Sequence, residues 1–272
     1  MFKKAYKIIE SMIDRIVGDE IFVYSAQGSF YLVIASIPFL MVFMEILKFF
    51  IPITQAEAVR IISTVVPSGL RVFAELITEE LFSKSATVLS ITGITAIWSA
   101  SRGMAAIERG VNKVYKTKKD RNLFAGMGIS VLYTLFFVGA LIATLLLMVF
   151  GGTLFGFLRV HMPWLTIVSS VKNLVYFFIM FIFFAVMYKV FAGRKTNLKD
   201  HLPGALFAIM GWFLFSFVFS IYVENFANYS YIYGSLAMLV IMMIWLYSCM
   251  VILLLGAEIN VWAKERRKEN VK

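Results

Sequence analysis

Apolar residues in this chain fall into long runs separated by short charged segments, and the run lengths set the expected architecture. No charged residue interrupts the stretch between Gly234 and Glu258. A helix rising about 1.5 Å per residue reaches roughly 36 Å through that gap, enough to cross a hydrocarbon core about 30 Å thick. Similar runs elsewhere predict six membrane-spanning helices, near residues 21–50, 85–103, 123–153, 171–191, 202–224 and 233–262. The expected fold class is therefore an all-α integral membrane protein, with residues 1–272 forming a single membrane domain.

Between the runs the pattern changes. In residues 1–20, Ile8, Ile9, Met12, Ile13 and Ile16 recur at helical spacing, with Lys4, Lys7, Glu10, Asp14 and Arg15 between them. This predicts an amphipathic helix lying on the membrane surface or on the bundle. It lacks the compact apolar core and small-residue cleavage site of a signal peptide. Residues 52–84 are too polar to cross but keep helical periodicity on both sides of Pro67-Ser68-Gly69. Two short amphipathic helices, joined at that break, are expected to cap the first outer loop.

Two small-residue seams predict close helix approach. Ser25, Gly28, Ser29, Leu32, Ala35 and Ser36 form one, and Gly93, Ala96, Ala100, Gly103 and Gly110 the other. Pro38 is expected to kink the first span. Arg102, Arg109, Lys113 and Lys116 share one side of the second helix, which predicts a basic arm continuing past the bilayer. Asp200 is expected to cap the fifth helix, with Pro203 in its first turn. Gly234 and Ser235 are expected to open the sixth.

Composition agrees with the run lengths. The chain is 61% apolar and 15% charged, where a soluble domain is about half apolar and a quarter charged. A net charge of +10 raises the question of nucleic acid, and the placement of the charges answers it. Of 26 Lys and Arg, 20 lie before residue 21, in 101–122, in 189–200 or after 262. That asymmetry puts both termini in the cytoplasm. The single cysteine, Cys249, lies in an apolar run, and His161 and His201 are far apart in sequence. Neither a cofactor nor a metal site is expected.

The residues also carry a resemblance. Phe30-Tyr31 through Ser36-Ile37-Pro38 and Trp98-Ser99-Ala100-Ser101, with Asn112 and Tyr115 downstream, are similar to the YihY/BrkB family of bacterial inner-membrane proteins. So are Pro203-Gly204-Ala205 with Trp212, Tyr233-Gly234-Ser235-Leu236, Trp245-Leu246-Tyr247 and Leu255-Gly256-Ala257-Glu258-Ile259-Asn260. The resemblance covers nearly the whole chain. It implies a six-span protein from a family that has carried ribonuclease BN and virulence-factor labels. In this chain Glu108, Asp120, Asp200 and His201 are scattered and form no metal-ligand or acid–base motif, so a nuclease is not expected.

Four polar residues are the candidates for a cavity or functional site: Arg102, Asn112, Glu258 and Asn260. Glu258 is expected either to pair with Arg102 or to act as an acid at the mouth of a cavity. Pro38, Trp98, Ser99, Tyr115, Pro203, Gly204, Tyr233, Gly234 and Ser235 are read as structural motif positions. Membrane lipids are the expected partners, a homo-oligomer is left open, and nucleic acid is not expected. The leading functional expectation is a transporter or flippase-like protein for a lipid or other amphiphile. A non-transporting envelope scaffold is the alternative, followed by an enzyme and by a small-ion channel or exchanger.

Overall fold

The computed structural model describes residues 2–50, 54–57, 59–60, 79, 86–117, 132, 136, 172–193, 196–225 and 229–269. Among these residues the structure is helical, without strands. Helix α1 covers Phe2–Gly18, α2 Ile21–Phe50, α3 Ala86–Val114, α4 Lys172–Ala192, α5 Leu202–Asn225 and α6 Tyr229–Glu269. A short 3-10 turn, Leu198–His201, leads into α5.

These bounds follow from the sequence. Helix α2 begins at the apolar run and continues through Pro38, in the helix interior. Helix α3 runs on from its apolar half into the basic arm, and Arg102, Arg109, Lys113 and Lys116 are exposed. One expectation is corrected. Helix α6 opens at Tyr229, so Tyr233, Gly234 and Ser235 lie within it instead of starting it. A glycine inside a helix costs little extension in an apolar surrounding, because each backbone group there must bond within the helix.

The predicted third span, 123–153, lies outside the described residues, apart from the helical positions Leu132 and Phe136. Most of segment 52–84 does too. Its opening is described and forms a capping box. The Thr54 N–H and hydroxyl donate to Glu57 Oε2 at 2.8 and 2.9 Å, and the Glu57 N–H donates to Thr54 Oγ1 at 3.3 Å. The bond from the Thr54 backbone holds the Glu57 carboxyl below its ordinary value of 4.5. A depressed carboxyl stabilises above its unfolded value, and that contribution is lost as pH falls through the lower folded-state value. Protection of the Thr54 amide from hydrogen exchange is thus expected to be present at pH 6 and to fall away as the pH is taken below 4.5.

Packing centres on α6. It lies against α5 and α2, and α3 lies along α2. Helix α4 packs on α5. The buried core joins Met104, Ile107 and Val111 of α3, Phe184 and Tyr188 of α4, Ala205, Ala208 and Ile209 of α5, and Met250, Leu253, Leu254 and Ala257 of α6. Both small-residue seams sit inside. A Cβ on Gly103 would meet Leu32 at 3.2 Å, and one on Gly110 would meet Leu254 at 2.8 Å. Trp212 Nε1 donates to the Cys249 carbonyl at 2.7 Å, and Trp245 Nε1 to Ser216 Oγ at 3.2 Å. These two indoles stitch α5 to α6 at two levels.

The outward faces are apolar. Ile94, Ile97 and Trp98 of α3, Phe178 and Ile182 of α4, Phe213, Leu214, Phe217 and Val218 of α5, and Val240 and Ile244 of α6 are all exposed. Continuous exposed hydrocarbon of this extent marks a surface made for lipid. Two stretches, Leu198–Val223 and Leu239–Glu269, are long and apolar enough to cross a membrane, and Ile21–Ser36 and Phe177–Ala192 are shorter apolar helices. The architecture is an all-helical membrane bundle.

Candidate functional site

The polar residues gather at one end of the bundle, where α1, the start of α2 and the ends of α3, α4 and α6 meet the turn before α5. Two backbone reversals shape this end. Helix α1 closes with Asp19 N–H to Arg15 O at 2.8 Å and Glu20 N–H to Val17 O at 3.1 Å. Glu20 then takes a left-handed conformation, φ 55°, and the chain turns directly into α2. Helix α3 closes with a Schellman motif: Lys116 N–H bonds Lys113 O and Thr117 N–H bonds Asn112 O, both at 3.0 Å. Its left-handed position, usually glycine, is Lys116 with φ 50°.

Helix α1 is held across the end of α6 by its charged face. Arg15 donates to Glu265 Oε2 at 2.7 Å, with both side chains partly exposed. Beneath it lies an apolar slot of about 230 Å³, walled by Met12, Ile16, Phe207, Leu255, Ile259 and Trp262. Arg15 and Glu258 also line it. Arg266 lies over the Trp262 ring at 3.9 Å and fixes that wall. A polar basin of about 500 Å³ adjoins the slot, lined by Glu10, Ser11, Asp14, Arg15, Gly18, Asp19 and Lys116. Arg15 belongs to both.

Glu258 is 6% exposed, and its Oε1 has no hydrogen-bond partner. Its carboxyl faces that of Asp19, close enough for a hydrogen bond when one of the two carries a proton, and the nearby cations are Arg15 and Lys116. The expected pairing with Arg102 is therefore corrected. Arg102 is exposed and lies over the Trp98 ring at 5.6 Å. Gly103, Ala106 and Gly110 occupy the inner face of α3, and Arg102 falls on the outer one. Asn112 is half-buried near the end of α3 and lines neither slot nor basin. The four sequence candidates are thus not brought together.

Asn260 has a different role. Its Oδ1 accepts the Gly204 N–H at 2.6 Å, so it caps α5 from a neighbouring helix. The expected cap, Asp200, instead binds Lys264 at 3.2 Å, with Arg267 at 4.0 Å. The 3-10 turn before α5 explains the exchange, since it points Asp200 toward the basic end of α6. Pro203 does stand in the first turn of α5. Beside this cap, His201 is fully buried between Tyr115, 2.8 Å from Nδ1, and Thr196, 3.0 Å from Nε2. Burial raises the Tyr115 hydroxyl well above its ordinary value, opposed by the Asn260 amide alongside. Tyr115 therefore keeps its proton and donates to Nδ1, which leaves Nε2–H for Thr196. Ser25 and Ser99 are buried with unpartnered hydroxyls.

Sequence reasoning missed Arg15, Asp19, Lys116 and Trp262. For Arg15 and Asp19 the only signal was the charged face of the first amphipathic stretch, which is equally compatible with lying on headgroups, and Lys116 read only as part of a basic arm. Among the described residues, no three of His, Cys, Asp and Glu are grouped so as to hold a metal ion.

Comparison with known proteins supplies the lineage. The family model described as virulence factor BrkB matches residues 12–272. A ribonuclease-like protein, YfkH, of Bacillus subtilis is 32% identical over 249 residues, 90% of each chain. A UPF0761 membrane protein of Vibrio campbellii is 28% identical over 268 residues, 94% of this chain and 81% of its own. The UPF0761 membrane protein YihY of Salmonella typhimurium is 27% identical over 190 residues, 70% of this chain and 64% of its own. No solved structure matches. With the family model spanning nearly its full length, and with a bundle whose outer faces are built for lipid, this chain belongs to the BrkB virulence-factor family of membrane proteins.

Proposed function

We propose that the protein is a transporter or flippase-like protein of the bacterial inner membrane, handling a lipid or other amphiphile. In this reading it has six spans and both termini in the cytoplasm. The observation that carries the reading is the juxtaposition of an apolar slot and a charged basin that share Arg15 at the basic end of the bundle. An amphiphile needs both surfaces, and a soluble ion or a nucleic acid has no use for the first. The directions of the helices support the span count. Thr117, just past α3, donates to the last residue of α4, so both helices deliver their C-terminal ends to the basic end.

The test is translocation of headgroup-labelled lipid in liposomes containing the purified protein, read by chemical quenching from outside. Exchange faster than in protein-free vesicles is expected. Glu258→Gln is expected to slow it about tenfold, on the scale of one lost charge-assisted contact, with yield and monodispersity unchanged. No acceleration by folded protein overturns the reading. A Glu258→Ala variant that only lowers yield makes the residue structural.

A second reading, a non-transporting envelope scaffold, draws on the closeness of the helix packing. Gly110, Gly204, Gly211 and Gly256 each lack room for a Cβ unless a neighbour shifts. Such seams suit a bundle that holds one arrangement.

A further inference from the structure

We infer that the slot and basin together bind a phospholipid whose headgroup ends in a primary ammonium, as phosphatidylethanolamine does, with the phosphate on Arg15. This rests on the amphiphile reading of the same site and adds the headgroup class. The order of chemistry along the site carries it. Met12, Ile16, Phe207, Leu255, Ile259 and Trp262 give an acyl chain an apolar bed. Arg15 stands where slot meets basin, the place a phosphate reaches when the chain lies in the slot. Only one of its terminal nitrogens is used by Glu265, and a guanidinium has five N–H donors. Beyond Arg15 the basin holds Lys116 and three carboxylates, Glu10, Asp14 and Asp19.

An anionic headgroup does not complete that arrangement. Past the phosphate position the basin presents three carboxylates, and Glu258, which lines the slot with Arg15 and faces Asp19, is buried with an unpartnered oxygen. A buried acceptor without a donor is costly, and a ligand that supplies a charged N–H relieves it. A primary ammonium offers three N–H donors. A quaternary choline offers none, and glycerol offers only neutral hydroxyls. Lys116 adds a second, independent sign. It makes no ion pair among the described residues and holds a left-handed backbone that glycine adopts more easily. Its charge lines the basin with Arg15 and is available to the same phosphate.

The experiment uses the full chain in neutral detergent, titrated with dioctanoyl phosphatidylethanolamine, phosphatidylglycerol and phosphatidylcholine, and read by native mass spectrometry and by the unfolding midpoint. The ethanolamine lipid is expected to bind about tenfold tighter than either other. Asp19→Asn is expected to abolish that preference. Lys116→Gly is expected to weaken ethanolamine-lipid binding several-fold, while the lipid-free midpoint stays level or rises. The rise separates lost recognition from lost folding. Equal affinity for the three lipids, or an ethanolamine preference that survives in both variants, overturns the inference. Selective binding without translocation leaves the inference standing and removes the transport reading. Translocation without headgroup selection does the reverse.

Discussion

Gly204→Ala is expected to abolish the folded yield of this protein. The added Cβ would overlap the Gly256 carbonyl oxygen and sit 2.5 Å from Asn260 Nδ2. Both partners belong to α6, and the nearer one is backbone. No rotamer change removes it, so α5 and α6 must separate along the line where they cross. Separation breaks more than one contact, because Gly256 in turn packs on Tyr188 Oη and the Gly204 carbonyl. Overpacking at a rigid crossing costs about 3 kcal/mol or more, a large share of a typical domain's net stability. Size-exclusion profiles of tagged protein in detergent check this directly. Gly211→Ala provides the graded comparison, since its clash at 2.7 Å is with an Ile252 side-chain methyl and not with backbone. Gly18→Ala, with nothing within 4 Å, is expected to leave the profile intact.

Asn260→Ala is the second large effect, and it works by orphaning a donor. Gly204 N–H is one of the amides that the first turn of α5 leaves without an intrahelical partner. Asn260, 1% exposed, supplies the acceptor. Removing it leaves a buried N–H with no water to take its place, at about 1–3 kcal/mol. The unfolding midpoint in graded denaturing detergent is expected to fall accordingly. Asn260→Asp keeps an acceptor at the positive end of the helix and is expected to recover part of the loss. A midpoint unchanged in Asn260→Ala would mean that the amide finds another partner, and the residue would return to the list of ligand candidates.

The fold was readable where a single physical rule decides. A long, mainly apolar run marks α2, which is helical from Ile21 to Phe50. Small residues at helical spacing located the seams at Gly28, Gly103 and Gly110. The motifs Pro203-Gly204-Ala205 and Gly256 through Asn260 stood out as separate patterns. That they are two halves of one crossing was not readable, since nothing in one-dimensional spacing says which helices touch. The same limit explains Arg102. Helical phase puts it on a basic face, but only the fold shows that this face turns away from Glu258. Arg15 and Asp19 were hidden for a different reason. An amphipathic helix presents the same pattern on a lipid surface as over a slot in its own bundle.

The contact between Arg15 and Glu265 has a consequence in time. The two residues are 250 positions apart, and they close the site from opposite ends of the chain. The slot needs Met12 and Ile16 from the first helix and Ile259 and Trp262 from the last. During synthesis α1 therefore cannot be clasped until α6 is complete. A chain cut short anywhere before the last turns of α6 has neither the slot nor the clasp. Ligand binding at this end thus reports that the polypeptide has been completed through α6.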